Sequence, residues 1–219
     1  MAGILFIISA PSGSGKSTLV TQLRTLVEGL DFSISYTTRA PRGSEENGHE
    51  YHFTSREEFE RMVAAGDFLE WAEVFGNYYG TAVSALGHAK AAGKDLLLDI
   101  DVQGALQVMK KLPQAVSIFI LPPSPEVLEM RLRNRSEAEH MTSEAVIEGR
   151  LAEARNELKR IGDYKYALVN DVLDQAVAEM RAIVLFERGV RDGVQAVAAS
   201  CRTDGASPRL RSALSTFGG

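Results

Sequence analysis

Cysteine is almost missing from this chain. Cys201 is the single one in 219 residues, so no intrachain disulfide can form, and the sequence suits a reducing compartment. Long apolar runs are missing as well. The N-terminal run Ile4–Ile8 falls far short of the about 20 residues a bilayer-crossing helix needs, and no basic residue precedes it, so neither an anchor nor a cleaved leader is expected. There is no excess of positive charge. Lys and Arg number 24 against 29 Asp and Glu, for a net charge of −5, which gives no electrostatic argument for a nucleic-acid or membrane partner. The four histidines include one close pair, His49 and His52, but that spacing on a strand sends the rings to opposite faces, so no metal site is expected there. No internal repeat occurs. The expectation is a cytoplasmic protein, with self-association into a homo-oligomer left open.

With 45% hydrophobic residues, the chain can bury a full core as one domain carrying small insertions. Its most specific segment is Ala10-Pro11-Ser12-Gly13-Ser14-Gly15-Lys16-Ser17, which differs from the phosphate-loop pattern G-x-x-x-x-G-K-[ST] only at Ala10. Gly13 and Gly15 let the backbone turn tightly around an anion with its amides inward. The helix expected to follow adds unpaired N–H groups and the positive end of its dipole. Ile4–Ile8 reads as a strand buried on both faces, and Leu19, Val20, Leu23, Leu26 and Val27 recur at helical spacing. A Gly/Ser turn alone would not bring that context. Ser12, Gly13, Ser14, Gly15, Lys16, Ser17 and Thr18 are therefore the candidate ATP-binding residues, with Lys16 on the outer phosphates and Ser17 on Mg²⁺, the expected cofactor.

Downstream, strand and helix signals alternate, which argues for an α/β architecture with a mainly parallel sheet. Strands are expected at Phe32–Tyr36, His49–Phe53, Phe68–Val74, Asp95–Asp101, Ala115–Leu121 and Tyr166–Asn170. Helices are expected from the Ser55–Glu58 capping box, over about Ala82–Ala92, after Ser124-Pro125 towards Arg135, up to about Ile161, and over Leu173–Arg188. The half-buried strands between residues 32 and 81 suggest a small antiparallel insertion. Ser136–Met141 reads as a loop, and Arg202–Gly219 as disordered.

Two further constellations carry chemistry. Arg39 and Arg42 flank a stiffening proline, and arginine suits bidentate phosphate binding. Tyr51 and Tyr79 can add hydroxyl donors. Such a second anion site makes sense if a phosphorylated acceptor faces the phosphate loop. Glu70, Asp99 and Asp101 form an acidic set, the last two at the C-terminal end of an expected parallel strand, where open α/β sheets place ligands. Guanine presents an amino and a ring N–H donor side by side, which one carboxylate can accept, while its O6 needs a donor such as Ser35 or Thr81. Asp99 also fits a Mg²⁺-associated acid.

Ser35 to Tyr51 reads S-x-T-T-R-x-P-R-x-x-E-x-x-G-x-x-Y, which resembles the signature of guanylate kinases. Gly76–Thr81 and Leu98–Gly104 are similar to two more blocks of that family, so the resemblance spans roughly residues 4 to 190. It implies a P-loop core with a mainly parallel sheet flanked by helices, a small mixed-sheet GMP-binding insertion and a helical lid. The implied division is core at 1–32, 94–134 and 151–190, insertion at 33–93, lid at 135–150, and a C-terminal extension at 191–219. The resemblance gives the GMP phosphate to Arg39, Arg42, Tyr51 and Tyr79, and the base to Ser35, Glu70, Thr81 and Asp101, with Glu45 and Asp99 at further GMP-site positions. Arg135 and Arg150 match the family's lid arginines and join Lys16 and Arg39 as the implied catalytic set. Ser136–Glu148 is longer than the family's usual Gly-bearing connection.

The implied reaction moves the γ-phosphoryl of ATP to GMP, and to dGMP, giving ADP and GDP. The acceptor phosphate has a second pKa near ~6 and is largely dianionic at neutral pH, so no general base is needed. Positioning and charge neutralisation suffice. Two other readings fit parts of the chain. A sugar-phosphate kinase would keep the phosphate loop without needing Glu70, Thr81 and Asp101. A protein-interaction scaffold of the same fold would typically have lost Lys16 and Ser17.

Overall fold

In the computed structural model, residues 3–138, 143–205 and 207–217 are described. Leu5–Ser9 forms β1, and Phe6, Ile7 and Ile8 are fully buried, as a continuous apolar run requires. The phosphate loop follows and gives way at Lys16–Leu26 to α1, whose buried Leu19, Val20 and Leu23 make its core-facing stripe. Leu30–Phe32 is β2, Tyr36–Thr37 β3 and His52–Phe53 β4. Arg56–Ala65 is α2, capped by the Ser55 side chain accepting from the Glu58 N–H at 3.1 Å.

Phe68–Val74 (β5) and Asn77–Ala82 (β6) form a hairpin whose two-residue turn places Phe75 and Gly76 both at positive φ. Then come α3 (Val83–Ala91), β7 (Asp95–Asp99), α4 (Val102–Lys111) and β8 (Val116–Leu121). They are followed by α5 (Pro125–Ala138), α6 (Glu144–Leu158), β9 (Tyr166–Val169), α7 (Leu173–Glu187), α8 (Gln195–Ser200) and α9 (Pro208–Phe217).

A five-stranded parallel sheet runs β2-β7-β1-β8-β9, and a four-stranded sheet runs β4-β3-β6-β5. The chain falls into two compact units, Met1–Ile7 with Gly29–Ala115, and Ile8–Glu28 with Val116–Gly219. The first holds the small sheet together with β2, β7 and α2 to α4. The second holds the phosphate loop, α1, β8, β9 and α5 to α9.

The α/β class expected from the sequence is found. Several local expectations differ. The single strand expected over Phe32–Tyr36 is split: β2 pairs with β7 in the large sheet, while β3 pairs with β4 and β6 in the small one. The strand expected over His49–Phe53 shrinks to β4, because Gly48 to Glu50 turn and the Gly48 N–H donates to Tyr51 O at 2.8 Å. The insertion is not purely antiparallel, since β3 and β4 run parallel.

The loop expected over Ser136–Met141 is helical through Ala138, with Ser136 fully buried; its remainder lies outside the described residues. The tail expected to be disordered carries α9, which buries Leu210 and Ala213 and starts on a Ser207-Pro208 cap. The expectation over Ala206, Gly218 and Gly219 lies outside the described residues.

Candidate active site

In the second unit the phosphate loop turns through Gly13 (φ 86°) and Gly15 (φ 81°), both in the left-handed region that favours glycine. Gly15 is the N-cap of α1, and the Ser14 N–H closes the turn on Pro11 O at 3.1 Å. Ser17 and Thr18 lie exposed in the first turn of α1. Ser12 and Lys16 are half-buried, and the buried Ser14 hydroxyl has no hydrogen-bond partner among the described residues.

The loop is seated by two side chains that the sequence reading left without a role. Asn170, just past β9, donates its amide to Ser14 O at 2.8 Å. Arg131, on α5, donates to Ser14 O (3.4 Å) and to Asn170 O (3.1 Å). A Cβ on Gly15 would stand 2.4 Å from Asn170 Nδ2, so glycine is needed here for close approach as well as for φ.

The two expected lid arginines lie on α5 and α6. Arg135 is exposed near the end of α5, and Arg150 is buried on α6, donating to Ser136 Oγ at 3.1 Å. Helical spacing held the signal for Arg131: it lies between Leu128 and Leu132, whose side chains a Cβ on Gly13 would touch at 3.4 Å and 3.1 Å.

In the first unit the arginine–tyrosine cluster assembles. Arg39 is buried and grips Glu45 with both terminal nitrogens, Nη1 to Oε2 at 2.9 Å and Nη2 to Oε1 at 3.0 Å. The Arg42 N–H donates to the same carboxylate at 2.8 Å. Burial works against the Arg39 charge, yet the Glu45 hydrogen bond and Tyr79 outweigh it and hold its pKa above the ordinary value. Burial likewise opposes ionisation of Glu45, but Arg39 and the Arg42 N–H hold its carboxyl below the usual range.

The Arg39 guanidinium stands 5.3 Å from the centre of the Tyr51 ring, which meets Tyr79 edge-on at 5.8 Å. Burial first, then the charge of Asp99 at the end of β7, pushes the Tyr51 hydroxyl up to about 12, so it is a donor throughout the physiological range. Arg42 itself is exposed.

The base-reading candidates also gather in this unit. Glu70 on β5 is paired in register with Thr81 on β6, and both are buried. Burial, reinforced by Asp101 and opposed by Thr81 and Lys111, pushes the Glu70 carboxyl up to about 7. The Thr81 hydroxyl leans on Glu70 but is buried without a well-formed hydrogen bond. Asp101 caps α4 by accepting from the Gly104 N–H at 2.9 Å. A Cβ on Gly104 would stand 2.3 Å from Glu70 Oε2, so a bare backbone at the start of α4 is what lets the carboxylate sit there. Ser35 is buried nearby in sequence, its carbonyl accepting from the His52 N–H at 2.9 Å.

A strand–loop–helix phosphate cradle, on a parallel sheet carrying a small mixed-sheet insertion, defines a P-loop phosphotransferase of the nucleoside-monophosphate kinase class. The family model for guanylate kinase matches residues 3–187, and the chain belongs to the guanylate kinase family. A guanylate kinase from Koribacter versatilis (strain Ellin345) is 54% identical over 99% of this chain and 97% of its own length. One from Dechloromonas aromatica (strain RCB) is 50% identical over 84% of this chain and 89% of its own. Among solved structures, guanylate kinase from Anaplasma phagocytophilum superposes with a TM-score of 0.70 at 33% identity, covering 91% of this chain and 95% of that one.

Proposed function

We infer that the protein transfers the γ-phosphoryl group of ATP to GMP, giving ADP and GDP. The observation that carries the choice of acceptor is the buried Glu70 carboxyl beside Thr81 and Asp101. Its two oxygens suit the paired N–H donors of guanine, and the buried Thr81 hydroxyl beside it suits O6. Adenine offers no such donor pair, and a ribose phosphate offers no base at all. dGMP presents the same base and phosphate and serves as an acceptor too.

Arg39, Arg42, Tyr51 and Tyr79 hold the acceptor phosphate. Glu45 acts one step back: its bidentate grip fixes the plane of the Arg39 guanidinium, and Asp99 acts on the Tyr51 hydroxyl. Residues Ser12 to Thr18 cradle the donor phosphates, with the Lys16 ammonium against the developing charge. Arg131 places a further guanidinium against the loop backbone, alongside the implied roles of Arg135 and Arg150.

Mg²⁺ suits this loop. Exposed in the first turn of α1, the Ser17 hydroxyl is a hard neutral oxygen of the kind that shares Mg²⁺ with phosphates and water. When bound, the ion would neutralise phosphate charge. No general base is needed, because the acceptor oxygen is already ionised at neutral pH.

The single, buried Cys201 suits work in the cytoplasm. Among the described residues no helix is long and apolar enough to cross a membrane. The test is to replace Glu70 with Ala and compare GMP with AMP binding. GMP affinity falls by about 10²-fold or more, as expected for unpairing buried donors, while AMP affinity stays put. Equal losses for both would remove Glu70 as the base reader.

A further inference from the structure

The family match ends at residue 187, yet the chain continues into α8 and α9, and α9 returns to the strand that leads into the phosphate-loop seat. Ser207 caps α9 by accepting from the Leu210 N–H at 3.3 Å, and Leu210 and Ala213 are buried. Next to Pro208, Arg209 reaches three acceptors. Nη2 donates to Val169 O at 2.9 Å and to the Asp171 carboxylate, while Nη1 donates to Glu179 on α7.

Val169 and Asp171 are the two neighbours of Asn170 in the chain. Asn170 is itself held on three sides: its N–H donates to Leu121 O at 2.8 Å, its carbonyl accepts from Arg131 at 3.1 Å, and its side-chain amide donates to Ser14 O at 2.8 Å. The 2.4 Å separation of Asn170 Nδ2 from a Cβ placed on Gly15 shows how little slack that seat has.

We propose that Arg209 is a positioning residue for the ATP site: by fixing residues 169 and 171 it fixes the Asn170 amide, and through it the Ser14–Gly15 turn of the phosphate loop. A guanidinium suits the task because its planar fork can serve a carbonyl and two carboxylates at once, which an ammonium cannot do with the same geometry. Arg209 touches no substrate. Its effect is to hold the loop in the one shape whose amides converge on phosphate, and loss of that preorganisation weakens donor binding before acceptor binding. The proposal rests on the reading of the loop as the ATP site.

Steady-state kinetics of Arg209→Ala and Arg209→Lys, with ATP and GMP varied separately, test it. For Arg209→Ala we expect KM for ATP to rise about 5- to 20-fold while KM for GMP stays within about twofold; Arg209→Lys should fall between Arg209→Ala and the wild type. Should Arg209→Ala not fold, Asp171→Asn removes one charged partner at constant shape and should raise KM for ATP by about 2- to 5-fold. An unmoved KM for ATP, or a parallel rise for both substrates that follows loss of Tm, overturns the proposal. If the wild type transfers nothing to GMP, the functional reading fails instead, so the two failures are distinguishable.

Discussion

Lys16 opens α1 directly behind the left-handed Gly15, in the turn proposed to cradle the donor phosphates. Replacing it with Ala should lower kcat by about 10²–10³-fold, because a preorganised charge on the transferring group is lost. Thermal unfolding should be unchanged, since Lys16 is only half-buried. Near-normal turnover would take the loop out of the mechanism.

Glu70 gives a pH signature. Its folded carboxyl titrates at about 7, above the 4.5 of a free side chain, so the folded state binds more protons than the unfolded one between those values. Its contribution to stability is fully present below about pH 4.5 and fades as pH rises through 7, a loss on the order of 3 kcal/mol. Glu70→Gln should therefore flatten the decline of Tm between pH 5 and 8 (about three pH units around this titration). On the proposed role of Glu70, GMP binding runs the other way, because the paired N–H donors of guanine need the ionised carboxylate. Once the titration of GMP itself is subtracted, KM for GMP should fall as pH rises through about 7 in the wild type and stay flat in Glu70→Gln.

Among the elements, α4 abuts the Glu70 carboxylate through its first turn. Gly104 leaves room for Glu70 Oε2 only because it lacks a Cβ, which would stand 2.3 Å away. Gly104→Ala should raise KM for GMP about tenfold, leave KM for ATP unchanged and cost little helix stability, alanine being the better helix former. Equal effects on both substrates would mean general disruption instead. In α2 the Ser55 cap is independent of the chemistry. Ser55→Ala should lower unfolding free energy by about 1 kcal/mol in denaturant titrations without altering either KM.

The elements also show what the sequence could and could not tell. The phosphate loop, α1 and the Ser55 cap are local signals, written in consecutive residues, and were legible. The division of Leu30–Thr37 between two sheets was not, because no glycine or proline marks the break and the partner strands decide it. α9 was obscured by its Ser- and Arg-rich composition, although Ser207-Pro208 is the same cap-and-proline signal that opens α5 at Ser124-Pro125. Asn170 and Arg131 meet Ser14 across 156 and 117 residues, a closeness no local pattern encodes.

For the whole molecule, the proposed binding roles divide between the two compact units: the phosphate loop with Asn170 and Arg131 in one, the Arg39–Glu45 and Glu70–Thr81 clusters in the other. The guanylate kinase family, to which the chain belongs, phosphorylates GMP with ATP. The proposed residue roles follow from what each cluster can bind: anions at the loop and at Arg39, a paired donor edge at Glu70. The measurement that tests this most directly is ADP release by the full chain with ATP and Mg²⁺, offered GMP, dGMP, AMP or ribose 5-phosphate in turn. Rapid release is expected with GMP and dGMP, and at most about 1% of that rate with AMP or ribose 5-phosphate, since neither presents the donor pair that the proposed role of Glu70 requires. Equal rates with AMP and GMP would contradict it.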